Sequence, residues 1–300
     1  MAGSVTATTS REGYTSAGVT ATVLEYLHAC PVCRAADLRH YCRVPSLFNA
    51  REFIRYERCA GCGVVLRNPR LPSDYRVQRY ADGAVSADAK RLDPKNQVHY
   101  AYMIRVLRRL CPSGPDVRLL DFGCGAGGFL LEARAGGYDV TGLELSKGLA
   151  RHVGETHGIR VFSGLVSDPA FVAERFQVVV TSQVFEHLTD PVETLRSVRA
   201  HLVRPGILLI EVPNLRDVRE RLRRGAIMDD SHLFYFSAPS LRRMLEAEGF
   251  QVVETHEGLR PYRALGRVTP RVPLGLLRAG ERVMALAGVR TGLSVVARLS

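Results

Sequence analysis

Leu119-Leu120-Asp121-Phe122-Gly123-Cys124-Gly125-Ala126-Gly127-Gly128 takes an apolar strand through a carboxylate into a turn nearly bare of side chains. Val117 to Leu120 is the short apolar run expected of a strand buried in a parallel sheet. Asp121 closes that strand. The glycines at 123, 125, 127 and 128 let the chain turn sharply and let a ligand approach the backbone. Phe129 to Ala133 then opens a helix. A strand–glycine-turn–helix unit places its ligand beyond the carboxyl end of the strand. No Lys-Ser/Thr follows the glycines, which excludes a phosphate-gripping P-loop.

The next strand, Tyr138 to Glu144, ends in a carboxylate 21 residues beyond Gly123, placed to accept both hydroxyls of an adenosine ribose. That spacing suits NAD and S-adenosylmethionine alike. Asp121 to Gly127 resembles the first motif of class I S-adenosylmethionine-dependent methyltransferases, whereas a dinucleotide fold more often shows Gly-x-Gly-x-x-Gly before its helix. The resemblance continues in order through Phe176 to Leu188, similar to the fourth strand and its loop, and Leu202 to Ile210, similar to the turn and fifth strand. It implies an α/β fold: a seven-stranded, mostly parallel, Rossmann-like sheet with helices on both faces. It also implies cofactor contacts from Asp121, Gly123, Gly125 and Glu144, with Ser182 and Gln183 bordering the adenosine. Many relatives carry Gly-Asp after the third strand (here Ile159 to Phe162), where the acid meets the adenine. This chain reads Ser163-Gly164-Leu165, with Asp168 further on, and that contact stays open.

Two Cys-x-x-Cys turns, Cys30/Cys33 and Cys59/Cys62, stand 25 residues apart near the front of the chain. Together they offer four thiolates, the ligand set of a structural zinc ribbon with no open position for a catalytic water. Gly61 and Gly63 flank the last ligand, where tight knuckles need glycine. Cys42 reads as a packing residue and Cys124 as a small residue of the cofactor turn. Seven cysteines without an export signal fit thiols and metal ligands better than disulfides, and a cytoplasmic location is expected. The expected organisation is a mobile tail over 1–22, the ribbon over 23–70, a connector over 71–95 and the methyltransferase domain over 96–300. Gln97 to Leu110 reads as the leading helix. Tyr80, in the connector, is a candidate to close over cofactor or acceptor.

Methyl transfer from a sulfonium needs an acceptor held in line and a group to receive one proton. Glu186-His187, directly after the fourth strand, reads either as a substrate-side base or carboxylate–imidazole pair holding an acceptor hydroxyl, or as a cap on the helix begun by Asp190-Pro191 that lines the pocket without moving protons. The architecture of ribbon, connector and domain resembles bacterial methyltransferases of sugar and polysaccharide pathways, including nucleotide-sugar C-methyltransferases of deoxysugar and natural-product biosynthesis. In these a base His precedes Leu-x-Tyr-Phe-Ser, and His232 falls on that position. Asp229 and Ser231 stand where that family has Tyr and Glu. Tyr80, His232, His187 and Glu186 thus complete the candidate site.

The net charge of +11 rests almost wholly on arginine, since lysine occurs only at 90, 95 and 147. Residues 260–300 hold eight arginines against one acid, Glu281. Arg267 to Val289 reads as an inserted helix, with peripheral contact to anionic lipid or a phosphate grip as alternatives. Leu215 to Gly225, with five arginines and two acids, reads as a solvated helix. The expected activity is methyl transfer from S-adenosylmethionine to a small molecule, a sugar or a phosphorylated or nucleotide-linked sugar. The alternative is an RNA-modifying methyltransferase gripping nucleic acid with its ribbon, disfavoured because the ribbon lacks an aromatic-interleaved stacking stripe.

Overall fold

The computed structural model describes residues 7–11, 23–46, 52–73, 77, 81, 92, 94–228, 231–257, 283 and 292–300. Tyr80, Asp229, Asp230 and all of Arg267 to Val289 except Val283 lie outside the described residues. Strands β1 (Ala7–Arg11) and β2 (Val23–Leu27) form an antiparallel pair. Residues 7–11, expected within an irregular tail, are therefore a strand.

β3 (Leu38–Pro45), β4 (Phe53–Cys59) and β5 (Val65–Arg67) make an antiparallel ribbon. α1 (Pro94–Leu110) follows, starting three residues earlier than the apolar period indicated. Then β6 (Arg118–Phe122), α2 (Gly128–Ala135), β7 (Asp139–Glu144), α3 (Lys147–His157), β8 (Val161–Ser163) and β9 (Phe176–Ser182) alternate. α4 (Pro191–His201), β10 (Leu202–Pro213), α5 (Val218–Leu222), β11 (Phe234–Tyr235), α6 (Ala238–Ala247), β12 (Gln251–Glu257) and β13 (Gly292–Leu299) complete the chain.

The seven-stranded sheet runs β12-β13-β10-β9-β6-β7-β8, with β13 antiparallel to both neighbours and the other pairings parallel. Alternate residues feed two cores, as a period of two requires. Leu119, Val178, Val180, Ile207 and Leu209 face α1, α2 and α3. Leu120, Val179, Leu208 and Ile210 face α4 and α6, in a cluster continuous with Cys30, Cys59, Cys62, Val64 and Leu66 of the ribbon. The order reverses between β6 and β9, so the crevice opens at the carboxyl ends of these strands.

The ribbon is less separate than its sequence boundaries imply. Its sheet runs β11-β5-β4-β3, so the fourth strand comes from residues 234–235, within the expected methyltransferase domain. Phe234 pairs with Leu66, Tyr235 with Val65, and Arg67 N donates to the Leu233 carbonyl at 2.9 Å. Arg70 is buried, pairs with Glu25 at 2.8 Å and donates to the Thr189 carbonyl at 2.6 Å. The chain at Asn68–Arg70 is thus a buried hinge of the ribbon. α5 also departs from expectation: its acids, Asp217 and Glu220, are buried.

Asn68 is the polar centre of this hinge. Its Oδ1 accepts from Leu27 N at 2.9 Å, while Nδ2 donates to Leu27 O at 3.0 Å and to Glu57 Oε2 at 2.7 Å. All three residues are buried, so truncation strands groups that water cannot reach. Asn68→Ala is expected to cost at least about 2 kcal/mol in urea unfolding of the metal-loaded protein. A loss below about 0.5 kcal/mol would mean these bonds contribute no net stability.

Candidate active site

β6 delivers Asp121 and the glycine turn to the crevice. Gly123 adopts φ +79°, and a Cβ there would lie 2.4 Å from Val184 Cγ2, so glycine is required for both reasons. Gly127, at φ +81°, caps α2 and leaves the turn's backbone facing the cavity. That cavity, about 320 Å³, is lined by Asp121, Gly123, Gly125, Ser182 and Gln183 among others, with α1 closing one side through Gln97, His99 and Tyr100. Gln183 holds a left-handed φ of 61° without being glycine, its N–H donating to the Glu211 carbonyl at 2.9 Å. Such a conformation in a cavity wall marks a position held by its surroundings.

Glu144 lies beside the cavity but is not among its lining residues. Its carboxylate braces the turn, accepting from Gly125 N and Ser146 N at 2.9 Å each. Each oxygen keeps a second lone pair for a ligand hydroxyl. Asp168 accepts from Leu165 N at 2.7 Å, closing its own turn, and does not line the cavity. Burial, with Glu144 as a second negative neighbour, pushes the Asp121 carboxyl up to about 8.

The chain after β9 forms a short 3-10 turn, Phe185–His187, which brings Glu186 and His187 against His232. Glu186 is fully buried, and His232 Nε2 stands 4.0 Å from its Oε1. The two imidazole rings meet edge-on with centroids 4.7 Å apart. His187 Nδ1 bonds the Ser231 carbonyl at 2.9 Å, and His232 Nδ1 lies 3.2 Å from the Tyr235 hydroxyl. The loop is tied down by Leu233 N donating to the Glu186 carbonyl at 2.7 Å and by Tyr56 Oη donating to the His232 carbonyl at 3.3 Å. Glu186-His187 does not cap α4, because Asp190 itself does so, accepting from Val192 N and Glu193 N. One ligand atom from each of Glu186, His187 and His232 falls within 4.8 Å of the others, an arrangement that could also take a cation.

The four ribbon cysteines converge: Cys30 and Cys62 sulfurs are 3.7 Å apart, Cys33 and Cys59 sulfurs 3.4 Å, and all lie within 4.8 Å. Tetrahedral zinc with bonds of about 2.3 Å puts sulfurs about 3.8 Å apart, so the donors fit that ion and are too distant for disulfides. A Cβ at Gly61 would sit 2.9 Å from Ala35 Cβ and 3.2 Å from Cys33 Sγ, which explains the glycine in the knuckle.

Two cavity residues escaped the sequence reading. His99 and Glu211, both buried, face each other there with Nε2 and Oε2 2.5 Å apart. Glu211 interrupts an apolar strand near its carboxyl end, as Asp121 does, and that shared signature could have found it. His99 lies on α1 with no comparable signal.

Residues 95–255, more than half of the chain, match the family described as a methyltransferase domain. C-methyltransferase NovU of Streptomyces niveus is 30% identical over 46% of this chain and 34% of its own length. The ubiquinone biosynthesis O-methyltransferase of Sinorhizobium fredii is 33% identical over 52% of this chain and 62% of its own. The chain thus spans less than two thirds of these relatives. Among solved structures, mycolic acid cyclopropane synthase CmaA1 superposes with a TM-score of 0.53 at 20% identity, over 76% of this chain and 98% of that one. Plantazolicin methyltransferase BpumL gives 0.52 at 15%, over 75% and 94%. These two establish the shared fold.

The raised pKa of Asp121 has a thermodynamic signature. An unfolded Asp titrates near ~4. The folded chain retains the proton up to about 8, so this group lowers stability as pH rises through that window. Without ligand, Asp121→Asn should match wild type in melting temperature at about pH 4 and exceed it progressively towards pH 8 by calorimetry. A constant difference across that range would show that Asp121 is ionised throughout.

Proposed function

The chain belongs to the family of methyltransferase domains, and from that premise we propose that it transfers the methyl group of S-adenosylmethionine to a small polyhydroxylated acceptor, a sugar or sugar-linked biosynthetic intermediate. The observation that supports this most is a single rim. Gln183 lines the cavity beside the glycine turn, and three residues later the same loop supplies Glu186 and His187 to the cluster with His232. Cofactor and acceptor would therefore meet at the carboxyl ends of β6 and β9. Asp121, Gly123 and Gly125 would hold the cofactor's amino acid end, Glu144 its ribose, and Ser182 and Gln183 its adenosine side.

On the acceptor side the chain's own residues handle the proton. With Nδ1–H donating to the Tyr235 hydroxyl oxygen, His232 Nε2 carries the lone pair that receives it. Glu186, 4.0 Å away and buried, stabilises the resulting imidazolium. His187, its Nδ1 bonded to the Ser231 carbonyl, would help orient an acceptor hydroxyl. Sulfonium neutralisation supplies driving force, so a base with pKa near ~7 is strong enough. A sequence relative above is named for ubiquinone biosynthesis, in keeping with a small-molecule acceptor.

Zinc held by Cys30, Cys33, Cys59 and Cys62 would be structural, since four protein ligands leave no position for substrate. No helix among the described residues is long and apolar enough to cross a membrane.

His232→Ala is expected to reduce turnover at least about tenfold, in the range of general-base contributions, while S-adenosylhomocysteine binds within about twofold of wild type by calorimetry. Undiminished turnover would reduce His232 to a loop anchor. Elemental analysis should find one zinc per chain, and Cys59→Ser should lose it together with a cooperative melt of the ribbon. Full zinc occupancy in that variant would overturn the four-cysteine assignment.

A further inference from the structure

Between the ribbon knuckle and the β10–α5 connection lies a recess of about 600 Å³ whose wall includes Arg58, Arg216, Arg221, Arg224 and Arg243. Its single lining acid, Glu220, is 3% exposed and already committed. It accepts from the Tyr41 hydroxyl at 2.9 Å, Gly225 N at 2.7 Å and Ile227 N at 3.3 Å. Asp217 is likewise consumed, capping α5 and pairing with Arg219 at 2.9 Å. The two acids that offset this arginine-rich stretch in sequence therefore point inward, and the guanidiniums are left on the surface. Among the described residues Arg58, Arg216, Arg221 and Arg224 have no carboxylate partner. Arg224 lies over the Tyr41 ring, 5.5 Å from its centroid, which restricts where its charge can go.

Part of this positive charge has a local counterpart. Zinc with four thiolates carries about two negative charges. Arg243 donates to the Gly61 carbonyl at 2.6 Å and Arg58 reaches Gly63, so these two face the knuckle. Arg216, Arg221 and Arg224 remain uncompensated on one wall of a concave site. Guanidinium binds phosphate oxygens through paired N–H donors, and three such groups more than offset the two charges of a diphosphate diester. Concavity and a tyrosine face already covered by Arg224 disfavour a nucleic-acid strand, which needs a long groove and open stacking faces.

We propose that this recess binds the diphosphate group of a small molecule. Nucleotide-linked and lipid-linked sugars both carry that group. The site is independent of the cofactor cavity, so it can fail without disturbing the methyl-transfer reading.

The test is calorimetric titration of the zinc-loaded full chain with inorganic pyrophosphate and with inorganic phosphate. Pyrophosphate should bind at least tenfold tighter than phosphate. Arg221→Gln/Arg224→Gln should weaken it at least tenfold while leaving the thermal shift with S-adenosylhomocysteine unchanged, which shows an intact fold and cofactor site. Uridine diphosphate or geranyl diphosphate binding tighter than pyrophosphate, with the same sensitivity to the double variant, would support the site and separate the nucleotide source from the lipid source. Equal weak binding of phosphate and pyrophosphate, or unchanged pyrophosphate affinity in the double variant, would overturn the proposal. So would a short single-stranded RNA that binds with steep salt dependence and is lost in the double variant, when pyrophosphate does not bind.

Discussion

Two residues, Phe234 and Tyr235, pair with Leu66 and Val65 and so make the ribbon and the methyltransferase sheet one object. The pairing is short, and a few hydrogen bonds at about 1 kcal/mol net each could not order a loop alone. Its strength comes from what stands on either side. Behind β5 is the four-cysteine cluster, and structural zinc in such sites contributes on the order of 10 kcal/mol to folding. Beyond β11, Tyr56 and Tyr235, both fully buried, meet edge-on at 5.7 Å. Their hydroxyls then reach His232 from two sides, at its carbonyl and at Nδ1. The ribbon thus holds the backbone at His232, while Tyr235 holds its imidazole.

The glycine turn imposes a different kind of constraint. At Gly123 a side chain is forbidden by both backbone angle and the neighbouring Val184. At Gly142 a Cβ would come within 2.8 Å of Cys124 Sγ, so the turn and β7 must lie close together. That closeness is what lets Glu144 accept from Gly125 N. It also places two carboxylates near one another, which raises the pKa of Asp121 beyond the effect of burial. A cationic ligand would favour the ionised form of Asp121 and so pull that pKa back down.

Much of this was legible in sequence because it is local. The strand–turn–helix at 117–133, the acid at 144 and the paired Cys-x-x-Cys turns each lie within a few residues of what they specify, and the structure assembles the sheet and the cysteine cluster as expected. Long-range pairing was not legible. Nothing in Phe234-Tyr235 marks it as the fourth strand of a ribbon that begins some 200 residues earlier, since two residues carry no periodicity. Glu220 read as a surface acid because its partner, Tyr41, is 179 residues away. His99 could not be matched with Glu211 for the same reason. Residues 7–11 read as tail because their polar composition has no alternation, and only β2 gives them a strand to join.

Four of the long-range contacts share a direction: they run from the ribbon half into the segment 214–236. Tyr41 to Glu220, Tyr56 to His232, Arg67 to Leu233 and Val65 to Tyr235 all cross the same seam. An independently folding zinc module would need few such contacts, because the metal alone suffices for so small a core. Their concentration on one loop means the ribbon is built to specify that loop, and the loop is where the acceptor-side histidine sits. Variation in the ribbon's exposed face could then alter the acceptor site's rim while the cofactor crevice, on the opposite core, keeps its geometry.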